Sequence, residues 1–197
     1  MAILKIARMG HPVLHRIADN VDDPTDPGIT LLINDMIDTL QDAAGIGLAA
    51  PQVHVSKRVV IFFVPESRSG EDEQDSETEL TIMINPVIEP LSEETNLDWE
   101  ACLSVPDLMG SVERYSHIKY SWTTPAGNRE ERLASGFHAR AVQHECDHLD
   151  GLLYPMRMND LSLMGYAEET NRNIKLLRRG HGLEEDFEAE LQVAEEG

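Results

Sequence analysis

Gly136-Phe-His-Ala-Arg-Ala-Val-Gln-His-Glu-Cys-Asp-His-Leu-Asp-Gly151 is the stretch on which the reading of this chain turns. Its pattern predicts a helix that opens at Gly136, runs to Asp150 and ends at Gly151. Phe137, Ala141, His144 and His148 fall at i, i+4, i+7 and i+11 and form one continuous inward stripe. His144 and His148 thus lie one turn apart on one face, where both imidazoles can reach a single metal ion. Glu145, beside them, can reach a water in a remaining coordination position. Metal-assisted hydrolysis needs that set: a Lewis acid to lower the water's pKa and a carboxylate to move its proton. Two histidines on a polar helix face are the plain alternative, and a third ligand is what separates the two.

The usual sources of that ligand can be checked in turn. A third His at position 154, as in the extended HExxHxxGxxH pattern, is ruled out because that position is Tyr154. A downstream glutamate is available at Glu168, but Glu168 and Glu169 sit in a charged stretch that reads as a solvated helix face. Cys102, in Glu100-Ala101-Cys102-Leu103-Ser104, offers a thiolate suited to zinc or ferrous iron. Chemistry alone leaves it open between a ligand and a small buried hydrophobe.

A further motif lies at Gly45-Ile46-Gly47-Leu48-Ala49-Ala50-Pro51-Gln52. Two glycines allow a ligand close to the backbone, and Gln52 offers an amide donor. Without a Lys-Ser/Thr pair it makes a poor phosphate loop. A helix cap accounts for Gly45 but not for Gly47 or Gln52.

Outward from these motifs, the apolar positions Leu31, Leu32, Ile33, Met36, Ile37 and Leu40 predict a helix over 29–43, opened at Thr30 or Asp26-Pro27 and stopped by Gly45. Arg58–Val64 reads as a buried strand, and residues 80–91, 112–120 and 120–124 as further strands. Pro125-Ala-Gly-Asn128 marks a turn, and a last helix is expected over 161–179. The segment before Pro24 reads as loop. Residues 66–79 carry seven acidic side chains and almost nothing apolar, which reads as a solvated hairpin loop or a disordered insertion.

The whole is one α+β domain over residues 1–180, with small mixed or antiparallel sheets around the central HExxH helix. An acidic tail follows at 181–197. With aromatics at 5%, the core is expected to rest mainly on aliphatic side chains. A net charge of −20 disfavours DNA, general nucleic-acid affinity and anionic membranes, all of which reward a basic surface. No run approaches the ~18 apolar residues of a membrane helix, so a cytoplasmic location is expected. Two cysteines in a chain of this length make no disulfide scaffold. Arg172, Lys175, Arg178 and Arg179 form a basic helical cluster that reads as a solvated face; a contact with ribosomal RNA would follow only from a family resemblance.

Together, Gly45–Gln52, Glu100–Ser104 and His144–Gly151 resemble the peptide deformylase family, in which GxGLAAxQ, EGCLS and HExxDHLxG occur in this order. The resemblance runs from Arg8 to about Met158 and implies an α+β fold with the HExxH helix among three small sheets. It makes Cys102, His144 and His148 the metal ligands. Glu145 becomes the general base that activates a water and then protonates the leaving amine. Gln52 and the Leu103 N–H would stabilise the oxyanion, and Gly47 would bind the peptide backbone. The activity implied is removal of the formyl group from formyl-methionyl nascent peptides, with Fe²⁺ as the usual metal and Zn²⁺ or Ni²⁺ able to substitute. Ile46, Phe137 and Ala141 would line an apolar pocket suited to a methionine side chain.

Two departures from the family pattern stand out. Ala101 replaces the glycine before the cysteine, which would strain the loop if that position needs φ > 0. The basic residue that many relatives carry shortly after the cysteine is also absent, and Arg114 is the first one available. An amidase acting on another N-acyl group and a non-catalytic relative that binds ribosomes or nascent chains are the remaining alternatives.

Overall fold

The computed structural model describes residues 2–181; the acidic tail expected at 181–197 lies, beyond His181, outside the described residues. Among these residues three α-helices are formed, α1 (Pro27–Asp42), α2 (Gly136–Leu149) and α3 (Ala167–Gly180). The strands are β1 (Gly47–Ala49), β2 (Val59–Val64), β3 (Thr78–Pro90), β4 (Thr95–Cys102), β5 (Val105–Tyr115), β6 (His117–Thr123), β7 (Arg129–Ser135) and β8 (Met164–Tyr166). They build two antiparallel sheets, one in the order β1-β2-β3-β6-β7 and the other in the order β4-β5-β8.

The two motifs before the helix are carried by strands from different sheets. β1, at an edge of the larger sheet, holds the glycine motif, and β4 of the smaller sheet ends at Cys102. α2 lies between them and is buried along nearly its whole length, from His138 to Leu149. The sequence pattern had suggested a helix with one inward stripe. The structure also buries its polar residues, because Arg140, Gln143 and Asp147 find partners on β4, β5 and neighbouring backbone.

β2 explains its own unbroken apolar run. Val60 and Phe62 pack toward α2 with Met83, Ile118 and Tyr120, while Val59 and Ile61 pack toward Ile33, Met36 and Leu40 of α1. A strand buried on both faces has no polar alternation to show. As expected, the buried hydrophobic residues are mostly Leu, Ile, Val, Met and Ala, although Trp122, Tyr120, Tyr154 and Phe62 are the largest fully buried side chains. Tyr120 and Trp122 stack at 5.1 Å between ring centroids, so a few large rings supply much of the core despite their low number.

Several local expectations are corrected, although one of the two starts expected for α1 is the one used: the Asp26 carboxylate caps the helix, accepting from the Gly28 N–H at 2.6 Å. Its left-handed terminal residue is Ala44, at φ 51°, rather than Gly45. Gly45 is glycine for space, since a Cβ there would sit 2.9 Å from Leu103 and Leu40 side-chain atoms. The strand expected over 112–120 divides at Ser116 into β5 and β6, and β1, β4 and β7 had no clear alternating signal. The last helix starts at Ala167 instead of 161, because Met164–Tyr166 pairs as β8 with Leu108–Gly110.

The acidic segment 66–79 is the largest surprise. It forms two short 3₁₀ turns docked on the N-terminus of α2. The Asp75 carboxylate accepts from the His138 N–H at 2.9 Å, and its backbone carbonyl accepts from the Gly70 N–H at 2.9 Å. Asp72 accepts from the Ser135 hydroxyl at 2.9 Å. α2 has no side-chain cap of its own at Ser135, so a carboxylate from this loop satisfies one of the first N–H groups. Gly136, at φ 51°, has no room for a Cβ beside the Asp75 carboxylate. Asp75→Ala should therefore lower stability by about 1 kcal/mol, read as a lower urea midpoint at unchanged m-value.

Candidate metal centre

Cys102, His144 and His148 come together where the end of β4 meets α2, with their ligand atoms all within 4.8 Å of one another. Cys102 Sγ lies 3.4 Å from His148 Nε2, and the two imidazole rings meet edge to face at 84°. Tetrahedral coordination by two imidazoles and a thiolate places donor atoms about 3.5 Å apart, so the donor set fits one ion. The electrostatics agree. Burial lowers the pKa of His144, but the Cys102 sulfur and Glu100 carboxylate outweigh it and carry that pKa well above its ordinary value. His148 goes well below its own, by burial first and then by the positive charge of His144 and Arg114. The triad thus favours one positive charge but not two protons, a condition a divalent ion meets.

Glu145 follows His144 on α2 and is buried against the glycine motif. A Cβ on Gly47 would collide with its carboxylate, which gives Gly47 a steric reason to be glycine. Burial, reinforced by the charge on Glu100 and opposed by His144, pushes the Glu145 pKa up to about 7. Its Oε2 is buried without a hydrogen-bond partner among the described residues, leaving an acceptor ready for a water or a substrate N–H.

Gln52 is held in place by its own loop. Its Oε1 accepts from the Ala49 N–H at 2.8 Å, which turns Nε2 toward Ser104 Oγ at 3.1 Å and Cys102 Sγ at 3.6 Å. The irregular N-terminal segment secures both loops, with Ala7 N–H donating to the Gln52 carbonyl and Met9 N–H to that of Ser104, each at 2.7 Å. Leu103 packs on Leu40 and the other α1-side residues. Ile46, Gly47, Leu103, Phe137 and Ala141 line the same cavity of about 550 Å³ as Cys102, His144 and Glu145.

The residues behind the Cys-His-His cluster have no role assigned to them by the sequence motifs. Glu100 Oε2 lies 2.7 Å from His144 Nδ1, while both its oxygens accept from Arg114 at 2.8 and 2.9 Å. Arg140 donates to Glu100 as well, at 2.9 Å. Arg114 continues to Asp147 of α2, which Arg157 grips from the other side. Burial alone would raise the Glu100 pKa, but hydrogen bonds from Arg114 and His144 hold it far below the carboxylate range. An ionised Glu100 keeps the proton of His144 on Nδ1 and frees Nε2 toward Cys102. The available signal was weak: Glu100 and Asp147 sit inside the motifs, but a pattern of acids does not say which basic residue they will meet.

Other expectations resolve from position. Ala101 lies in β4 opposite Met109 and is absent from the residues with positive φ, so its methyl costs no backbone strain. Arg114 is engaged in the buried network rather than at the cavity. Tyr154 stacks near the His144 ring at 6.4 Å, and Glu168 pairs at the surface with Arg172.

A family profile described as polypeptide deformylase matches residues 3–163. The chain belongs to this family. It is 52% identical over 163 residues to peptide deformylase 1 of Bordetella pertussis, covering 83% of this chain and 92% of that protein. Peptide deformylase 1 of Nitrosomonas europaea is 46% identical over 166 residues, covering 84% and 93%. Among solved structures, a Met-Ala-Ser-bound class I type b peptide deformylase from Acinetobacter baumannii superposes with a TM-score of 0.71 at 37% identity, covering 80% of this chain and 99% of that one. The peptide deformylase of Ehrlichia chaffeensis gives 0.74 at 28% identity, covering 91% and 97%. The chain is therefore a metal-dependent deformylase that removes the formyl group from N-terminal formyl-methionine of nascent polypeptides.

Glu100→Gln should weaken metal affinity about 10- to 100-fold, measured by competition with a chromogenic chelator. Unchanged affinity would mean that the carboxylate behind His144 serves packing alone.

Proposed function

We propose that Cys102, His144 and His148 hold the catalytic ion of this deformylase and that Glu145 is its general base. The observation that carries the assignment is the convergence of the three donor atoms beside a buried carboxylate oxygen with no partner. A divalent ion held there supplies Lewis acidity toward water and the formyl carbonyl. We assign Fe²⁺ as the native metal, with Zn²⁺ and Ni²⁺ as substitutes, because a thiolate with two imidazoles suits all three.

The protein's own groups then divide the work. The Glu145 carboxylate takes a proton from the attacking water and returns it to the departing methionine nitrogen; a pKa near 7 makes both transfers feasible at neutral pH. Gln52 Nε2 and the Leu103 N–H donate to the carbonyl oxygen as it becomes anionic. Gly47 lies on β1 at the sheet edge, where an extended peptide can align with its backbone. Ile46, Phe137 and Ala141, which line the cavity, form the apolar wall for the first side chain.

Among the described residues no helix is long and apolar enough to cross a membrane, and we place the enzyme in the cytoplasm, where formylated chains emerge. Anaerobic protein reconstituted separately with Fe²⁺, Ni²⁺ and Zn²⁺ should cleave formyl-Met-Ala-Ser, fastest with iron. Glu145→Gln should keep its metal and lose about 10²- to 10⁴-fold in rate, whereas Cys102→Ser should lose the metal. Metal retention in Cys102→Ser would overturn the ligand set.

The basic cluster of α3 is a weaker feature. Arg172 pairs with Glu168 and Glu169, and Arg178 with Asp98 across to β4. We read it as a solvated face rather than a ribosome contact. Wild type and a Lys175→Glu, Arg179→Glu variant should pellet equally with ribosomes; selective loss by the variant would establish the contact instead.

A further inference from the structure

We propose that Arg68, from the acidic 66–79 loop, closes the far end of the pocket for the substrate's first side chain and limits the length it accepts. The inference rests on the assignment of Phe137 and Ala141 to that pocket. Arg68 lines the same cavity as the metal ligands, and its guanidinium carbon sits 4.2 Å from the centroid of the Phe137 ring. Phe137 precedes His144 by seven residues on α2, which at 1.5 Å per residue places it about 10 Å from the ligand along the axis. From a formyl carbon to the terminal methyl of methionine is six bonds, about 7–8 Å when extended. A methionine side chain lying along α2 therefore ends where Phe137 and Arg68 stand.

Two observations make Arg68 a closing group rather than a passing surface side chain. Its loop is pinned to α2 on both sides of the helix start, by Asp72 on Ser135 and Asp75 on His138. Its guanidinium makes no ion pair among the described residues, although Glu66, Glu71 and Glu73 are near in sequence, and it spends its planar face on Phe137 instead. A charged group stacked on the ring presents a polar, hydrated barrier at that end of an apolar wall. Beyond it lies solvent, since the side chain is exposed. Each methylene buried in an apolar pocket favours binding by about fourfold, so an open-ended pocket would welcome longer side chains and a closed one would refuse them.

The test compares kcat/KM on three formyl tripeptides ending in Ala-Ser. They carry methionine, norleucine of equal length, or S-butyl-homocysteine, which is three methylenes longer. The wild type is expected to cleave the first two comparably and the third at least about 10-fold less well. In Arg68→Ala the ratio of methionine to the long side chain should fall at least about 5-fold, with the change in KM, and methionine to norleucine should keep its ratio. An unchanged ratio for the long side chain would overturn the proposal, as would an equal fall in the norleucine ratio, which would mean a general loosening of the wall. Failure of the wild type to cleave any of the three would overturn the deformylase site assignment, and this inference with it.

Discussion

Glu100 is the carboxylate on which the contact between the smaller sheet, the central helix and the Cys-His-His cluster turns. It is buried, ionised, and bonded to Arg114 of β5, Arg140 of α2 and His144. Burying a charge without partners is prohibitive, while removing one partner from a buried pair costs about 3–5 kcal/mol. Helix and sheet must therefore meet in the register that satisfies all of these groups together. Buried ion pairs are not a general source of stability relative to apolar packing. Their effect here is positional: the Glu100 carboxylate, two residues before Cys102 on β4, both fixes α2 against β4 and orients His144.

The same economy of groups recurs on the opposite side of the site. Gly47 is small because Glu145 lies against it, and Glu145 is buried because β1 closes over it. Burial raises the carboxyl pKa into the neutral range, so the packing that shapes the cavity also sets the proton affinity of its buried carboxylate. Gln52 is aimed by the Ala49 N–H and by N-terminal backbone that belongs to no regular element. Loops thus take part in positioning the side chains of the cavity, but each is tied to a strand or helix within a few residues.

The loop 66–79 shows how composition can mislead. Seven acids and few apolar residues describe solvated loops in general, and local pattern offers no means of telling where such a loop docks. The first N–H groups of α2 need acceptors, and Ser135 provides none. Asp75 meets part of that need from more than 60 residues away in sequence. The docking in turn brings Arg68 to the rim of the cavity, so an apparent spacer becomes a wall of the site.

What the sequence by itself determined was local and periodic. The i, i+4 spacing of His144 and His148 with Glu145 between them dictates a shared helix face, and the apolar run of β2 dictates burial on both sides. The ordered motifs around Gly47, Cys102 and His144 were also readable, because each needs only neighbours in the chain. Tertiary structure alone decided which distant groups complete them. Cys102 reaches the histidines only because β4 ends beside α2, and Arg114 became a buried partner of Glu100 and Asp147 rather than a residue at the cavity. β4 and β7 escaped notice because their faces are set by cross-strand packing instead of by alternation in their own residues. The physical reason is the same throughout: periodicity is a property of adjacent residues, whereas charge pairing, burial and pKa depend on what the fold brings from elsewhere.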